Sequence, residues 1–131
     1  MKLLLDTHVF LWSVLAPDNL SPKVRAVFAE DRNELWVSPI TVWEVHLLAE
    51  KGRVELAPHP RGWLERVLSA IPFREATLTH AVALQSRQLN LPHQDPADRF
   101  LAASAIVYEL TLVTADHRLL STGACPTLPA R

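Results

Sequence analysis

Cysteine is nearly absent: Cys125 is the only one in 131 residues. No disulfide can form within the chain, which points to a reducing compartment. Glycine is scarce as well, with three residues in all. Neither G-x-G-x-x-G nor a P-loop occurs, so a dinucleotide or nucleoside triphosphate site is unsupported. G-x-S-x-G is missing, which removes the usual setting of a hydrolase serine. The histidines lack H-E-x-x-H spacing, which argues against zinc. There is no surplus of either charge: 13 basic and 14 acidic residues leave a formal net charge of −1. Such a chain has no broad basic field for sequence-blind nucleic-acid binding, although a few local arginines can still position phosphates. The apolar run at Leu3-Leu4-Leu5 is too short for a signal peptide or a membrane span, so a cytoplasmic location is expected.

What is present is enough apolar material for a core, 49% of the residues, without repeats, linkers or low-complexity stretches. One domain over residues 1–131 is expected. Continuous apolarity at Leu3-Leu4-Leu5 suits a strand buried on both faces of a parallel sheet. Glu34-Leu35-Trp36-Val37 and Thr111-Leu112-Val113-Thr114 read as further strands, with a short extended segment at Phe73–Leu78 and an edge strand in the tail. Ser21-Pro22 and Ser38-Pro39 are cap-plus-proline helix starts. Helices are expected from Val9 to Leu15, from Pro22 to about Asp31, from Pro39 to a stop at Gly52, from about Gly62 to Ala70, and from Thr79 to near Asn90. Strands alternating with helices indicate a parallel α/β sheet.

The most informative stretch is Asp95-Pro96-Ala97-Asp98-Arg99-Phe100-Leu101-Ala102-Ala103-Ser104-Ala105. Asp95 is a cap and Pro96 a first helical residue. Asp98 comes after the cap, on the same face as Leu101, Ala102 and Ala105 of an apolar helix. A carboxylate there needs a cation, a metal or a proton as partner. Three other acids have related settings. Asp6 and Asp116 each follow a strand at its C-terminal end, the edge where open α/β sheets bind ligands. Glu44 lies on the apolar line between Ile40 and Leu48. The plainer readings are a helix cap for Asp6, the polar first turn of a helix for Asp98 and an edge ion pair for Glu44. In a parallel sheet all four can meet at one edge, where they repel one another. A hard divalent ion, Mg2+ or Mn2+, relieves that repulsion and suits phosphodiester cleavage.

These motifs, with Leu3-Leu4-Leu5-Asp6-Thr7-His8, Ser38-Pro39-Ile40-Thr41-Val42-Trp43-Glu44 and Leu112-Val113-Thr114-Ala115-Asp116, resemble the PIN domain, and more closely the VapC-type toxins of type II toxin–antitoxin pairs. The resemblance spans nearly the whole chain. It implies a three-layer α/β/α sandwich with a central parallel sheet, and Mg2+- or Mn2+-dependent cleavage of RNA. It places the acidic positions at Asp6, Glu44, Asp98 and Asp116, with Asp6 and Asp98 as direct metal ligands and the other two acting directly or through water. Asp95 matches an acid that caps the helix first and supports the ligands second. Thr7, Ser38 and Thr114 are positioned to hydrogen-bond ligands or water. Arg99 and Arg118 are candidates for phosphate contact, or for pairing with the cluster's own acids. His8 and His93 are candidates for substrate contact, or plain loop histidines. A homodimer and a cognate antitoxin are the implied partners. Two alternatives stay open: a PIN-like RNA-processing or DNA-cleaving nuclease without an antitoxin, and a non-catalytic binding module on the same fold.

Overall fold

Lys2–Leu5 forms the central strand β1, and its three leucines are fully buried. A computed structural model describes residues 1–131. In it β2 (Glu34–Val37) and β4 (Thr111–Thr114) flank β1, while β3 (Arg74–Glu75) and β5 (Thr127–Pro129) close the edges. The order is β3-β2-β1-β4-β5, and every pairing is parallel. Leu4 lies opposite Trp36 on one side and Leu112 on the other.

Side chains alternate along each strand, so an apolar run feeds two cores. Leu3, Leu5, Val37 and Val113 face one of them, where they meet Phe10 of α1 (Thr7–Leu15), Val24 of α2 (Pro22–Ala29), Val45 of α3 (Pro39–Glu50) and Trp63 of α4 (Pro60–Ala70). Phe10 packs edge-on to Trp63 with ring centres 6.2 Å apart. Leu4 and Leu112 face the other core with Leu101 and Ala105 of α6 (Pro96–Val107) and Leu119 of α7 (His117–Thr122). Helix α5 (His80–Ser86) packs along α6. Helices therefore cover both faces of one sheet, the expected three-layer α/β/α arrangement. Each fully buried leucine contributes about 2 kcal/mol of transfer free energy.

The helix starts follow their local chemistry. Asp6, Ser21, Ser38, Thr79, Asp95 and Asp116 each accept a backbone N–H at the head of a helix. Pro22, Pro39 and Pro96 occupy first helical positions. So does Pro60, which corrects the expected start near Gly62: His59 Nδ1 accepts the Gly62 N–H at 3.1 Å, and α4 begins at the proline. Gly52, at φ +71°, ends α3 as expected. Helix α2 stops at Ala29 rather than Asp31, and only Arg74–Glu75 of the Phe73–Leu78 segment pairs as a strand.

Helix α5 ends at Ser86, short of Asn90: the Arg87 and Gln88 N–H groups close its last turn onto the Leu84 and Gln85 carbonyls, and the carbonyls of Ser86 and the loop beyond turn to Arg99. The Arg99 guanidinium is buried. It donates to the carbonyls of Ser86 (2.9 Å), Leu91 (3.2 Å), His93 (3.3 Å) and Leu89 (3.5 Å). The planar fork of Arg suits several acceptors at once, and the loop winds around it. Arg99→Met leaves those carbonyls without their donor. Urea denaturation should show a loss of about 3 kcal/mol; a midpoint equal to that of the parent would contradict this account of the loop.

Candidate active site

Parallel strands bring the ends of β1 and β4 and the heads of α1 and α7 to one edge of the sheet. A cavity of about 350 Å3 opens there, lined by Asp6, Thr7, His8, Trp12, Glu44, Leu48, Asp95, Asp98, Ala115, Asp116 and Arg118. All four acids singled out in the sequence share this cavity, and Asp95 joins them.

Like Asp98, Asp6 is buried. Its Oδ1 accepts the Thr7 N–H at 2.6 Å, and its Oδ2 accepts the Thr114 hydroxyl at 2.6 Å. Burial pushes the carboxyl up from its ordinary range, and these two donors only partly offset it. Both partners are neutral. Thr114 Oγ1 also accepts the Asp116 N–H at 3.0 Å, so one hydroxyl ties the two strand-end acids together.

Asp98 sits in the first turn of α6, where its N–H donates to the capping Asp95 Oδ1 at 3.1 Å. Its Oδ2 lies 2.9 Å from His93 Nε2 and 3.5 Å from Arg118 Nη2. Burial raises this carboxyl to about 6, with Asp95, Asp6 and Asp116 adding to the rise and His93 opposing it. Glu44, half-buried on α3, accepts the Thr7 hydroxyl at Oε1. Burial raises it too, and the charges of Asp6 and Asp95 add to that. Asp116 is different: hydrogen bonding from Arg118 holds it below the usual carboxylate range. Arg118 Nη2 lies 3.0 Å from Asp116 Oδ2, and the arginine is the cation of the cavity rim.

The structure separates the remaining candidates. Thr7 and Thr114 bond directly to Glu44 and Asp6. Ser38 does not reach the cavity; its hydroxyl is fully buried as the cap of α3, accepting the Ile40 N–H at 3.1 Å. Arg99 is a correction on both counts. It meets neither a phosphate-accessible surface nor the acids, because backbone carbonyls occupy its guanidinium. Arg118 pairs with the cluster's own acids. His8 lines the cavity from an exposed position. His93 turns out to touch Asp98, a contact that its place in the Leu91–Gln94 loop did not signal.

As the side chains stand, no three Asp, Glu, His or Cys groups are gathered closely enough to hold an ion. The donor set nonetheless fits a hard cation. It consists of carboxylate oxygens without a thiol, and Asp6, buried like Asp98, has no positive side-chain partner. Cys125 lies elsewhere, half-buried, with burial pushing its thiol up to about 11.

A parallel sheet with carboxylates at its C-terminal edge, closed by helices on both faces, defines a class, and the chain belongs to the PIN-domain family, whose model matches residues 3–124. Among particular relatives, Ribonuclease VapC22 of Mycobacterium tuberculosis is 36% identical over 121 residues, covering 90% of this chain and 89% of that protein. Two solved structures share the fold. VapBC2 from Rickettsia felis, bound to a DNA fragment from their promoter, has a TM-score of 0.74 at 15% identity, covering 100% of both chains. DNA-bound VapBC from Salmonella typhimurium has a TM-score of 0.73 at 19% identity, covering 100% of this chain and 99% of that one.

The raised Asp98 carboxyl has a consequence for stability. Its charged form is disfavoured in the fold, so ionisation costs stability above about pH 6, and the cost disappears as pH falls toward the unfolded value of 3.8. In metal-free buffer, Asp98→Asn should melt higher than the parent at pH 7, with the gain shrinking between pH 6 and pH 4. Thermal melts that show no gain at pH 7 would contradict it.

Proposed function

We propose that this chain is a Mg2+- or Mn2+-dependent endoribonuclease acting as the toxin of a type II toxin–antitoxin pair, built as a single PIN-like domain. The observation that supports it best is the shared cavity of Asp6, Glu44, Asp98 and Asp116, in a chain 36% identical to a protein named a ribonuclease. RNA is the substrate, a cognate antitoxin and a second copy of the chain are the partners, and the cytoplasm is the setting. No helix is long and apolar enough to cross a membrane.

Asp6 and Asp98 would hold the ion, with Glu44 and Asp116 completing the site directly or through water. Such an ion supplies the positive charge that makes water a usable nucleophile at neutral pH and offsets charge on the departing oxygen. The chain's own groups do the rest. Thr114 and Thr7 fix Asp6 and Glu44 by hydroxyl donation, so these carboxylates need little reorganisation. Arg118 is exposed enough to exchange a carboxylate for an RNA phosphate, which it can grip bidentately. With a net charge of −1, substrate is held by such local contacts rather than by a basic surface.

Purified protein should cut RNA in Mg2+ or Mn2+ and stop when EDTA is added. Asp6→Asn and Asp98→Asn should each abolish cutting, and full activity in either would overturn the assignment of the site. Expression in bacteria should arrest growth, and co-expression of the product of a short adjoining reading frame should relieve the arrest. Cutting without any such relief would favour a processing nuclease instead.

A further inference from the structure

His93 stands outside the acids that line the cavity, yet its ring is aimed at one of them. Nε2 lies 2.9 Å from Asp98 Oδ2, and the side chain is 14% exposed. Nothing else polar holds the ring, because Nδ1 is buried without a hydrogen-bond partner. The backbone is held from behind: Arg99 Nη1 donates to the His93 carbonyl at 3.3 Å and to the Leu91 carbonyl at 3.2 Å. Arg99 follows Asp98 directly on α6, so one turn of helix carries both the carboxylate and the pin that brings a histidine to it. Both side-chain contacts to Asp98 fall on Oδ2, leaving Oδ1 without a donor.

We infer that His93 is a positioning residue for Asp98: its Nε2–H holds Oδ2 so that Oδ1 is presented to a divalent cation in the cavity, and Arg99 holds the loop that makes this possible. The inference rests on the ion site proposed above. A hydrogen bond to one oxygen fixes the rotation of a carboxylate and spares the ion the cost of ordering it. Partners of this kind change metal affinity by about tenfold to a hundredfold when removed. Arg118 cannot substitute, since it is 57% exposed, meets Oδ2 at 3.5 Å and is shared with Asp116.

Calorimetric titration of the full chain with Mn2+ tests this, with melting curves confirming that each variant is folded. His93→Ala should bind Mn2+ about tenfold or more weakly than the parent. His93→Phe fills the same space without an N–H and should show the same loss. His93→Gln keeps a donor at the position of Nε2 and should restore most of the affinity, which a merely structural role for the ring would not produce. Parent-like affinity in His93→Ala and His93→Phe, or a failure of His93→Gln to recover it, would overturn the inference while leaving the ion site intact. Absence of Mn2+ binding by the parent chain would instead overturn the ion site, and this positioning role with it.

Discussion

The hydrogen bond from Thr114 to Asp6 is the contact on which the site depends. It joins the ends of two adjacent parallel strands across 108 residues of sequence. It satisfies a buried carboxyl with a neutral hydroxyl rather than a cation, which offsets part of the rise that burial causes. A lysine or arginine in that place would form a closed ion pair and leave nothing for a cation to do. Because the same hydroxyl receives the Asp116 N–H, the spacing of the two strand-end acids is set by the sheet itself.

Three of the acids that line the cavity are also helix caps. Asp6, Asp95 and Asp116 each accept an N–H at the head of a helix. For Asp6 and Asp95 this is what the plain reading predicts, and it does not compete with a functional one. A carboxylate has two oxygens and several lone pairs, so it can accept a capping N–H and a second donor at once, as Asp6 does from Thr7 and Thr114 and Asp116 does from the Arg118 backbone and side chain. The helix heads also carry partial positive charge, which eases the crowding of like-charged groups. Repulsion and burial still leave Asp6, Glu44 and Asp98 above their ordinary ranges, while Arg118 holds Asp116 below it. The cluster is therefore asymmetric: a buried side short of positive charge and a rim side that already has some.

Arg99 and His93 show how neighbouring residues in the chain can be assigned the wrong way round. Beside Asp98, an arginine suggests phosphate contact or pairing with the acids; in a proline-containing loop, a histidine suggests substrate contact or solvent. The fold reverses them. The guanidinium turns away from the cavity into a ring of carbonyls, and the histidine is drawn inward onto the carboxylate. Helical direction explains the first half, since adjacent residues on a helix point about 100° apart. The second half follows from the loop wrapping around Arg99, which no local pattern encodes.

The strands, most helix starts and the four acids were readable from the chain because each rests on short-range chemistry. Leu3–Leu5 are apolar on both faces, Ser38-Pro39 and Asp95-Pro96 are starts that a helix requires, and an acid after a strand or on an apolar helical line stands out against its neighbours. The ends of α2 and α5, the two-residue β3, the seclusion of Ser38 and Arg99 and the approach of His93 to Asp98 were decided only in three dimensions. Their cause is physical. Caps and apolar runs act over a few residues, whereas the direction of a long side chain and the course of a loop depend on which distant carbonyls and carboxylates the packed layers bring within reach.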